Sequence, residues 1–480
     1  MAASRRRNGA GPEAMSRIGA WPHGQVVPKR ALVVGAGRSG VAVAKALVAL
    51  GASVVVTDRK AEGDLGAEMD ALRRLGVELA MGAHAPELLA GVDLVVVSPG
   101  VPSDLPLLQA ARQRVIPDQP GRMVEVIGEL EFAARLIDAP CAAISGTNGK
   151  STTTLLLGAM AAAAGRRVFV GGNLGQPLST ALFPPVPWEL LVVEVSSFQL
   201  ETIRTFHPSC AALLNVTPDH LDRYPDFERY IEAKRRLFLN ASSDDTAVLN
   251  AADPIVRAIG RELPCRVIWF AEAPTDGEAI WCAGGVVRMR TDGREETLWP
   301  VEALRLQGHH LLQNALAATA MARAMDVPAR AIEQAIREFQ GQEHCLETVT
   351  ERAGVLYVND SKGTNVDAVI KALESFDRPI VWIGGGLDKG GRFDALRPAI
   401  GRRVKRAIVF GAARRAIAQA LEGATSVEEV ATLDEAVRRA AGAAETGDVV
   451  LFSPACASFD QFRDYRERGE RFRTLVRMAG

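Results

Sequence analysis

A glycine-rich loop that ends in lysine and serine carries the strongest chemical signal in this sequence. The loop 146–151 reads GTNGKS and lies between an apolar, strand-like run and a helix-like stretch that starts near Thr152. Backbone N–H groups of such a loop, together with the positive end of the helix that follows, cradle phosphates. Lys150 would reach the β- and γ-phosphates and the Ser151 hydroxyl would bind Mg²⁺, so the loop predicts a nucleoside-triphosphate site. The strict motif has glycine where Ile144 stands, so this is a shorter GxxGKS variant, and a plain turn is the alternative.

Two more polar groups follow apolar strands. The strand 191–194 ends in Glu194, and a carboxylate at the C-terminal end of a strand faces the crevice where ligands bind in open α/β sheets. Carboxylate oxygens suit Mg²⁺, although a strand-end charge paired with an arginine is the alternative. His220 follows the strand 211–215 in an Asp-rich turn. A lone histidine is usually structural, but this position favours a ligand-binding or phosphate-proximal role.

The elements that position these groups form a repeated pattern. A β-branched run, a glycine turn and an Ala/Leu-rich helical stretch occur in this order three times along the chain. This is the pattern of βαβ units, and it predicts an α/β fold with parallel sheets. We expect three domains: a Rossmann-like domain at each end and a central P-loop-type domain with a mainly parallel sheet and a polar, hairpin-like insert near 270–305. The expected boundaries are a disordered extension at 1–28 and domains at 29–139, 140–345 and 346–480.

The first domain begins with a dinucleotide-binding fingerprint. The strand 31–34 passes through GAGRSG at 35–40 into a helix at 41–50, and the next strand, 53–57, ends at Asp58. Taken alone, this pattern favours an NAD(P)-dependent oxidoreductase, an alternative that leaves the GTNGKS loop unexplained. Other expected strands are 94–97, 141–144, 355–358, 380–383 and 407–410, and a charged helix is expected after Pro454.

Composition excludes several classes of protein. The 480 residues carry a net charge of −1, which gives no global attraction to nucleic acid or to an anionic membrane. The six cysteines are scattered, without zinc spacing, which indicates free thiols in a reducing cytosol. The basic N-terminus is followed by Gly, Pro and Ala, so we expect no signal peptide or membrane helix, and Met15 is an alternative start. These features predict a cytoplasmic protein without a nucleic-acid or membrane partner.

A series of motifs, in order, resembles those of the Mur ligases, and specifically those of the D-glutamate-adding members. The resemblance spans about 29–479. An ordered series of this kind is far more specific than any single motif. The motifs are GTNGKS at 146–151, GGNLG at 171–175, EVSSFQLE at 194–201, NVTPDHLDRY at 215–224, NDSKGTN at 359–365 and SPACASFDQF at 453–462.

The resemblance implies an ATP-dependent amide ligase of peptidoglycan precursor synthesis. The L-alanyl carboxylate of UDP-N-acetylmuramoyl-L-alanine would attack the γ-phosphate of ATP, and the amine of D-glutamate would displace phosphate from the resulting acyl phosphate. Such a path needs metal ions beside crowded oxyanions, a positioned cation and exclusion of water. Two Mg²⁺ sites and ATP as co-substrate are implied, without NAD, in a monomer whose third domain closes around the ligands.

The resemblance also implies roles for individual residues. The catalytic residues would be Lys150, Glu194, His220 and Lys234. The metal ligands would be Ser151, Glu194, His220 and, if carbamylated, Lys234. ATP would contact Gly146, Thr147, Asn148, Gly149, Lys150, Ser151, Thr152, Asn314 and Asp360. The first domain would bind the UDP portion, and the UDP-linked substrate would contact Gly37, Arg38, Ser39, Asp58, Ser98, Asn173 and Ser196. D-Glutamate would contact Lys362, Thr364, Lys389, Ser458, Phe459 and Tyr465.

Plain alternatives stay open for two lysines. A carbamate would turn Lys234 into an anionic oxygen ligand for metal, but a lysine in a helix is usually solvated. Lys389 would hold a carboxylate of D-glutamate, or it is a solvated lysine in a flexible Gly-rich loop.

Three positions depart from the family pattern. Cys345 stands where the family usually has an arginine that contacts the γ-phosphate, and a thiol cannot replace a bidentate guanidinium. Leu311 stands where some relatives place an adenine-contacting asparagine, although Asn314 is kept, and Tyr465 replaces a more familiar phenylalanine. A nucleotide-binding regulatory protein without turnover is therefore one rival. Another Mur ligase or a folylpolyglutamate synthase is a second rival, but the Asp-Asn-Pro-Arg motif of the diamino-acid-adding relatives is missing.

Overall fold

Three β-sheets, each with apolar clusters on both faces, organise the chain. The predicted disordered extension 1–28, with the alternative start at Met15, lies outside the described residues except for its last two positions. No helix within the described residues combines the length and the apolar run that a bilayer crossing requires. The computed structural model describes residues 27–61, 68–116, 119, 121–221, 223–304 and 309–478.

The first sheet is parallel, in the order β3-β2-β1-β4-β5. Its Val-rich strands are buried on both faces, as helix-covered parallel strands are. The loops after β1 and β4 meet where the strand order reverses: a Cβ added at Gly35 would lie 2.7 Å from the Cβ of Ser98. The elements are β1 Arg30–Val34, α1 Arg38–Ala49, β2 Ser53–Asp58, α2 Glu68–Arg74, β3 Glu78–Met81, a 3₁₀ turn Pro86–Leu89, β4 Leu94–Val97, α3 Pro106–Arg112, β5 Glu125–Gly128 and α4 Glu129–Ala134.

The second sheet has the order β14-β13-β12-β11-β10-β9-β6-β8-β7 and is parallel from β7 to β12. Strands β12 to β14 pair antiparallel and correspond to the predicted hairpin-like insert. Ile144 lies opposite Glu194, so the phosphate loop and Glu194 leave the sheet side by side. The strands are β6 Cys141–Ser145, β7 Val168–Gly172, β8 Leu190–Glu194, β9 Cys210–Leu213, β10 Thr246–Asn250, β11 Arg266–Phe270, β12 Ala279–Ala283, β13 Val286–Thr291 and β14 Arg294–Pro300. The helices are α5 Lys150–Ala163, α6 Ser197–Leu200, α7 Phe227–Arg235, α8 Pro254–Gly260, α9 His309–Ala324 and α10 Ala329–Glu338, with 3₁₀ turns at Leu178–Leu182, Arg236–Phe238 and Val301–Ala303.

The third sheet has the order β15-β16-β20-β17-β18-β19, and only the edge strand β15 runs antiparallel. The sequence did not predict β15, because ETVTER lacks an apolar run and is only partly buried. The strands are β15 Glu347–Arg352, β16 Val355–Asn359, β17 Ile380–Gly385, β18 Val404–Phe410, β19 Ser426–Glu429 and β20 Val449–Phe452. The helices are α11 Val366–Glu374, α12 Arg397–Arg403, α13 Arg414–Ala420, α14 Leu433–Ala443 and α15 Tyr465–Met478, with a 3₁₀ turn at Phe393–Leu396.

The predicted α/β class, with three mainly parallel sheets, is confirmed. Every strand expected from an apolar run is present, and the charged C-terminal helix is α15. The first helix begins at Arg38 instead of residue 41, since it starts inside the glycine turn. The domain boundaries stay predictions.

Candidate active site

The phosphate loop joins β6 to α5 and has the shape of an anion cradle. Gly149 precedes the helix with φ +85°, a conformation that favours glycine, and a Cβ there would lie 2.2 Å from Oδ1 of Asn314. The Lys150 ammonium folds back and donates to the carbonyl oxygens of Gly146 at 2.9 Å and Thr147 at 2.8 Å. The loop and its lysine therefore lie around a space suited to phosphate.

Asn215, two residues after the neighbouring strand β9, holds this loop in place. Its Oδ1 accepts from the Asn148 backbone N–H at 2.8 Å, and its Nδ2 donates to the Asn148 carbonyl at 3.1 Å. The Thr147 hydroxyl donates to the carbonyl of Thr217 at 3.0 Å and lies 3.2 Å from the Tyr230 hydroxyl. Sequence reasoning assigned Asn215 no role, although it opens a recognised motif.

Glu194 ends β8 directly beside the loop and is 3% exposed. Its Oε2 accepts from the Ser151 hydroxyl at 2.5 Å, and its Oε1 accepts from Nδ2 of Asn173 at 2.7 Å. Burial lowers the pKa of the Lys150 ammonium, and the Glu194 carboxylate opposes that shift. A hydroxyl and a carboxylate within bonding distance are the hard oxygen donors that Mg²⁺ prefers.

The donor set fits a magnesium ion that is shared with phosphate. Among the described residues, no group of three His, Cys, Asp or Glu side chains lies close enough to hold a metal. Mg²⁺ is usually bound through one or two protein oxygens, with phosphate oxygens and waters completing its coordination. Ser151 and Glu194 supply such a pair, so these residues fit the predicted cation.

Lys234 lies on α7 beneath the phosphate loop and is only 1% exposed. Its Nζ donates to the carbonyl of Gly146 at 2.7 Å and lies 4.8 Å from the centre of the Tyr230 ring. Burial holds the pKa of Lys234 well below its usual value, and the nearby Lys150 charge acts in the same direction. The alternative of an ordinary solvated lysine is wrong.

Asp219 and His220 follow β9 on the other side of the loop. His220 has φ +55°, and its ring lies 4.8 Å from the ring of Phe198. Asp219 accepts from the His220 backbone at 2.9 Å, from Asn365 Nδ2 at 3.2 Å, and pairs with Lys389 at 3.6 Å. Burial raises the pKa of Asp219, but the charges of Lys389, His220 and Lys150 and the His220 backbone bond together outweigh it and leave that pKa lowered. Sequence reasoning missed Asp219, the carboxylate that joins the second sheet to loops of the third.

One cleft of about 300 Å³ between the second and third sheets brings most predicted residues together. Gly146 and Lys234 bond to each other beneath it. The predicted residues that line the cleft are Thr147, Asn148, Gly149, Lys150, Ser151, Thr152, Asn173, Glu194, His220, Asn314, Asp360, Lys362, Thr364, Lys389 and Tyr465.

Besides Gly146, Lys234 and the predicted residues of the first sheet, three more predicted residues lie outside this lining. Ser458 is 2% exposed and Phe459 is 69% exposed. An antiparallel bridge between Leu387 and Ala457 nevertheless holds their loop against the loop of Lys389. Ser196 caps helix α6, where its side chain and that of Gln199 form a capping box. The substrate role of Ser196 stays a prediction.

The third-sheet side of the cleft includes Asp360, directly after β16, and the half-buried Cys345. The Asp360 carboxyl accepts from the Leu346 N–H at 3.2 Å and from the Ser453 hydroxyl at 2.6 Å. Burial raises the pKa of Asp360 to about 7. Burial also raises the pKa of Cys345 to about 11, so its thiol is neutral and supplies no charge. On helix α9, Leu311, which stands where some relatives have an asparagine, is buried. Asn314 of the same helix lines the cleft.

The raised pKa of Asp360 predicts that wild type and an Asp360→Asn variant differ in stability by an amount that depends on pH. Between the usual value of 3.8 and about 7, folded protein holds a proton that unfolded chain has released, so stability falls as pH rises through this range. We expect Asp360→Asn to be more stable than wild type at pH 8, by at most about 4 kcal/mol at about 1.4 kcal/mol per pKa unit. Urea unfolding at pH 8 and pH 5 measures the difference, which should shrink at pH 5. Asp377→Asn, at a fully exposed position, is the control; an equal difference at both pH values would contradict the assignment.

A second cleft, of about 430 Å³, lies where β1 and β4 end in the first sheet. It is lined by the predicted residues Gly37, Arg38, Ser39, Asp58 and Ser98, and also by His84, which sequence reasoning missed.

The carboxylate of Asp58 holds the glycine turn of the first sheet. It accepts from the Ala36 N–H at 2.8 Å and from the Lys60 N–H at 2.9 Å. Burial raises the pKa of Asp58, but these two bonds and the charges of His84 and Lys60 together leave that pKa lowered. Arg38 reaches the second sheet, where it donates to the Gly175 carbonyl at 3.1 Å. Asp58 therefore shapes the loop that lines this cleft.

Sequence profiles of known families match most of the chain. Residues 29–117 match the Mur ligase MurD-like N-terminal domain, residues 144–322 the Mur ligase middle domain, and residues 344–456 the Mur ligase glutamate ligase domain.

Curated relatives and solved structures agree with these profiles. The UDP-N-acetylmuramoylalanine–D-glutamate ligase of Geotalea daltonii is 44% identical over 95% of this chain and 99% of its own length. The corresponding ligase of Geobacter metallireducens is 45% identical, with the same two shares. The UDP-N-acetylmuramate–alanine ligase of Thermotoga maritima has the same fold at 18% identity, with a TM-score of 0.56 over 94% of this chain and 100% of that one. The chain therefore belongs to the Mur ligase family, in its MurD branch.

Proposed function

We propose that this chain is an ATP-dependent ligase that joins D-glutamate to UDP-N-acetylmuramoyl-L-alanine, with release of ADP and phosphate. One observation carries the proposal: the phosphate loop and Glu194 of the second sheet face Lys389 of the third across a single cleft. This geometry suits a reaction in which a phosphorylated carboxylate and an incoming amino acid must meet. The relatives from Geotalea daltonii and Geobacter metallireducens are named for the ligation of D-glutamate to UDP-N-acetylmuramoylalanine.

In this proposal ATP occupies the cleft, with its phosphates on the loop 146–151. Asn314 and Asp360, which line the same cleft, would also contact ATP. Lys150, now bonded to its own loop, would turn to the phosphates. Bound Mg²⁺ at Ser151 and Glu194 would neutralise charge on the phosphate oxygens. An acyl phosphate formed there is open to hydrolysis, so closure of the third domain over the cleft is needed to keep water out.

We infer that Lys234 carries a carbamate. CO₂ combines with the neutral form of an amine, and burial favours that form at Lys234. A carbamate would place anionic oxygens beneath the phosphate loop, and His220, which lines the cleft, would add a nitrogen ligand. These groups support a second Mg²⁺ site in addition to the one at Ser151 and Glu194.

The UDP portion of the substrate is assigned to the first-sheet cleft. The glycine turn that precedes α1 offers backbone N–H groups to a diphosphate, and no NAD is invoked, because the turn alone is weak evidence for that cofactor. Arg38 bonds to the second sheet, so the cleft opens near the active site. Asn173, bonded to Glu194, is placed near the muramoyl-alanine end.

D-Glutamate is assigned to the side of the main cleft formed by the third sheet. Lys389 would take one carboxylate and exchange its present partner, Asp219, for it. Ser458, Phe459 and Tyr465 would hold the other carboxylate. Lys362 and Thr364, which line the main cleft, would also contact D-glutamate. A cytoplasmic monomer fits these substrates, and both properties belong to the proposal.

The decisive experiment is phosphate release from ATP and Mg²⁺ with UDP-N-acetylmuramoyl-L-alanine as acceptor. D-Glutamate is compared with L-glutamate, meso-diaminopimelate, L-lysine and no amino acid. We expect phosphate release only in the sample that contains D-glutamate, and mass spectrometry should detect the ligated product in that sample. ATP binding without release under every condition would overturn the proposal in favour of a regulatory nucleotide-binding protein.

Cys345 gives a further test of the ATP site. Its neutral thiol, bonded to the side chain of Thr152 at the start of α5, stands where a guanidinium would make two phosphate bonds. We expect Cys345→Arg to lower the KM for ATP about tenfold, since a charge-assisted bond contributes roughly 1.5–3 kcal/mol. Cys345→Ser, which adds no charge, is the control. An unchanged or raised KM would show that another cation already serves this position.

A further inference from the structure

Four lysines line the main cleft, and three of them have roles in the proposed function. Lys150 belongs to the phosphate loop. Lys362 and Lys389 are assigned to D-glutamate; Lys362 donates to Oε1 of Gln342 at 2.7 Å, and Lys389 pairs with Asp219. The fourth, Lys371, lies on α11 of the third sheet and has no assigned role. The proposed function therefore gives no role to the positive charge of Lys371.

The position of Lys371 is fixed by a carboxylate that also holds the phosphate loop. Oδ2 of Asp367 pairs with the Lys371 ammonium at 2.8 Å. The same oxygen accepts from Nδ2 of Asn148 at 2.5 Å and from the Thr217 hydroxyl at 3.2 Å. The lysine and the loop asparagine thus meet at one atom, so the ammonium lies beside the phosphate loop although it comes from the opposite side of the cleft.

The pairing of Lys371 with Asp367 balances the negative charge of that carboxylate beside the phosphate loop. A carboxylate against a phosphate loop would repel an incoming triphosphate, and Lys371 neutralises it. An ammonium has three N–H donors, so the bond to Asp367 leaves capacity for phosphate oxygens. The Lys371 side chain lines the cleft and is 30% exposed, so its remaining N–H groups are accessible to a ligand there. The neutral Cys345 thiol contributes no charge to the same cleft.

We propose that Lys371 binds the polyphosphate of ATP from the third-sheet side of the cleft. Lys371 contributes to nucleotide affinity, and Asp367 of the same helix bonds to the phosphate loop through Asn148. This inference rests on the proposed use of ATP. It predicts that the contribution of Lys371 depends on the β- and γ-phosphates and not on the nucleoside.

The test is calorimetric binding of ATP, ADP and AMP, with Mg²⁺, to the full chain. We expect Lys371→Gln to weaken ATP binding about tenfold or more, which is the scale of one lost charge-assisted bond. AMP binding should stay within about twofold of wild type on the same scale. Lys371→Arg keeps the charge and should recover most of the ATP affinity. Lys405→Gln is the matched control, because Lys405 is also ion-paired and 30% exposed but lies at the start of β18, outside the cleft lining.

The outcomes separate this inference from the proposed function. Equal ATP affinity in wild type and Lys371→Gln would overturn the inference alone. An equal loss for ATP and AMP would also overturn it, since it would mean that Lys371 only supports the fold of α11. Failure of the wild type to bind ATP would overturn the proposed function together with this inference.

Discussion

Replacement of Lys234 by methionine is expected to reduce ligase turnover at least about a hundredfold, the scale of losing one preorganised charged group in an active site. Methionine fills a similar volume without a polar atom, so the buried site beneath the phosphate loop stays packed. What is lost is the amine bonded to Gly146 and, in the proposal, the carbamate formed on it. Steady-state turnover with saturating ATP and D-glutamate measures the effect.

The carbamate itself has a separate signature. Exhaustive removal of CO₂ and bicarbonate should lower the activity of the wild type, and their return should restore it. A carbonyl signal from ¹³C-labelled CO₂ should be present in wild type and missing in Lys234→Met. Arg235→Met is the matched control, because Arg235 is the next residue on α7 but is 46% exposed and paired with Glu262. Full activity of Lys234→Met would contradict a catalytic role for this lysine.

Lys234 also shows where sequence reasoning about the site ends. Its helix reads FERYIEAKR, which is polar on average, and only Tyr230, Ala233 and Lys234 are buried. A lysine in such a helix is usually solvated, so its burial depends on tertiary packing that no local pattern encodes. The family resemblance singled out Lys234 as a site residue. The structure adds what the sequence lacked: the amine of Lys234 is buried against the phosphate loop, and its pKa is lowered.

Local patterns succeeded where strand and loop chemistry decide the structure. The phosphate loop, the strand end at Glu194 and the turn before α1 were predicted because glycine conformations and apolar runs determine them. Contacts between distant segments were not predictable. Asp367 follows the NDSKGTN motif and bonds to Asn148, which lies 219 positions earlier. The partly buried edge strand β15 was missed because it lacks an apolar run.

Replacement of Glu194 by glutamine is expected to lower turnover by about 10²–10³-fold and to raise the Mg²⁺ concentration needed for half-maximal activity. Glutamine has the same shape and still offers one oxygen, so Asn173 can keep its bond. The second position becomes an NH₂ group that cannot accept the hydrogen bond from Ser151. The negative charge that would hold a divalent cation beside Ser151 is lost in the same change.

A Mg²⁺ titration of turnover separates a metal role from a purely structural one. If Glu194 ligates Mg²⁺, part of the lost turnover returns as Mg²⁺ rises, because mass action offsets a weaker site. A structural role would lower turnover equally at every Mg²⁺ concentration and would lower the melting temperature as well. Glu189→Gln is the matched control, since Glu189 lies just before the opposite end of β8 and is 46% exposed. Glu189 and Glu194 lie at opposite ends of β8. A loss of turnover in Glu194→Gln but not in Glu189→Gln therefore locates the effect at the end of the strand beside the phosphate loop.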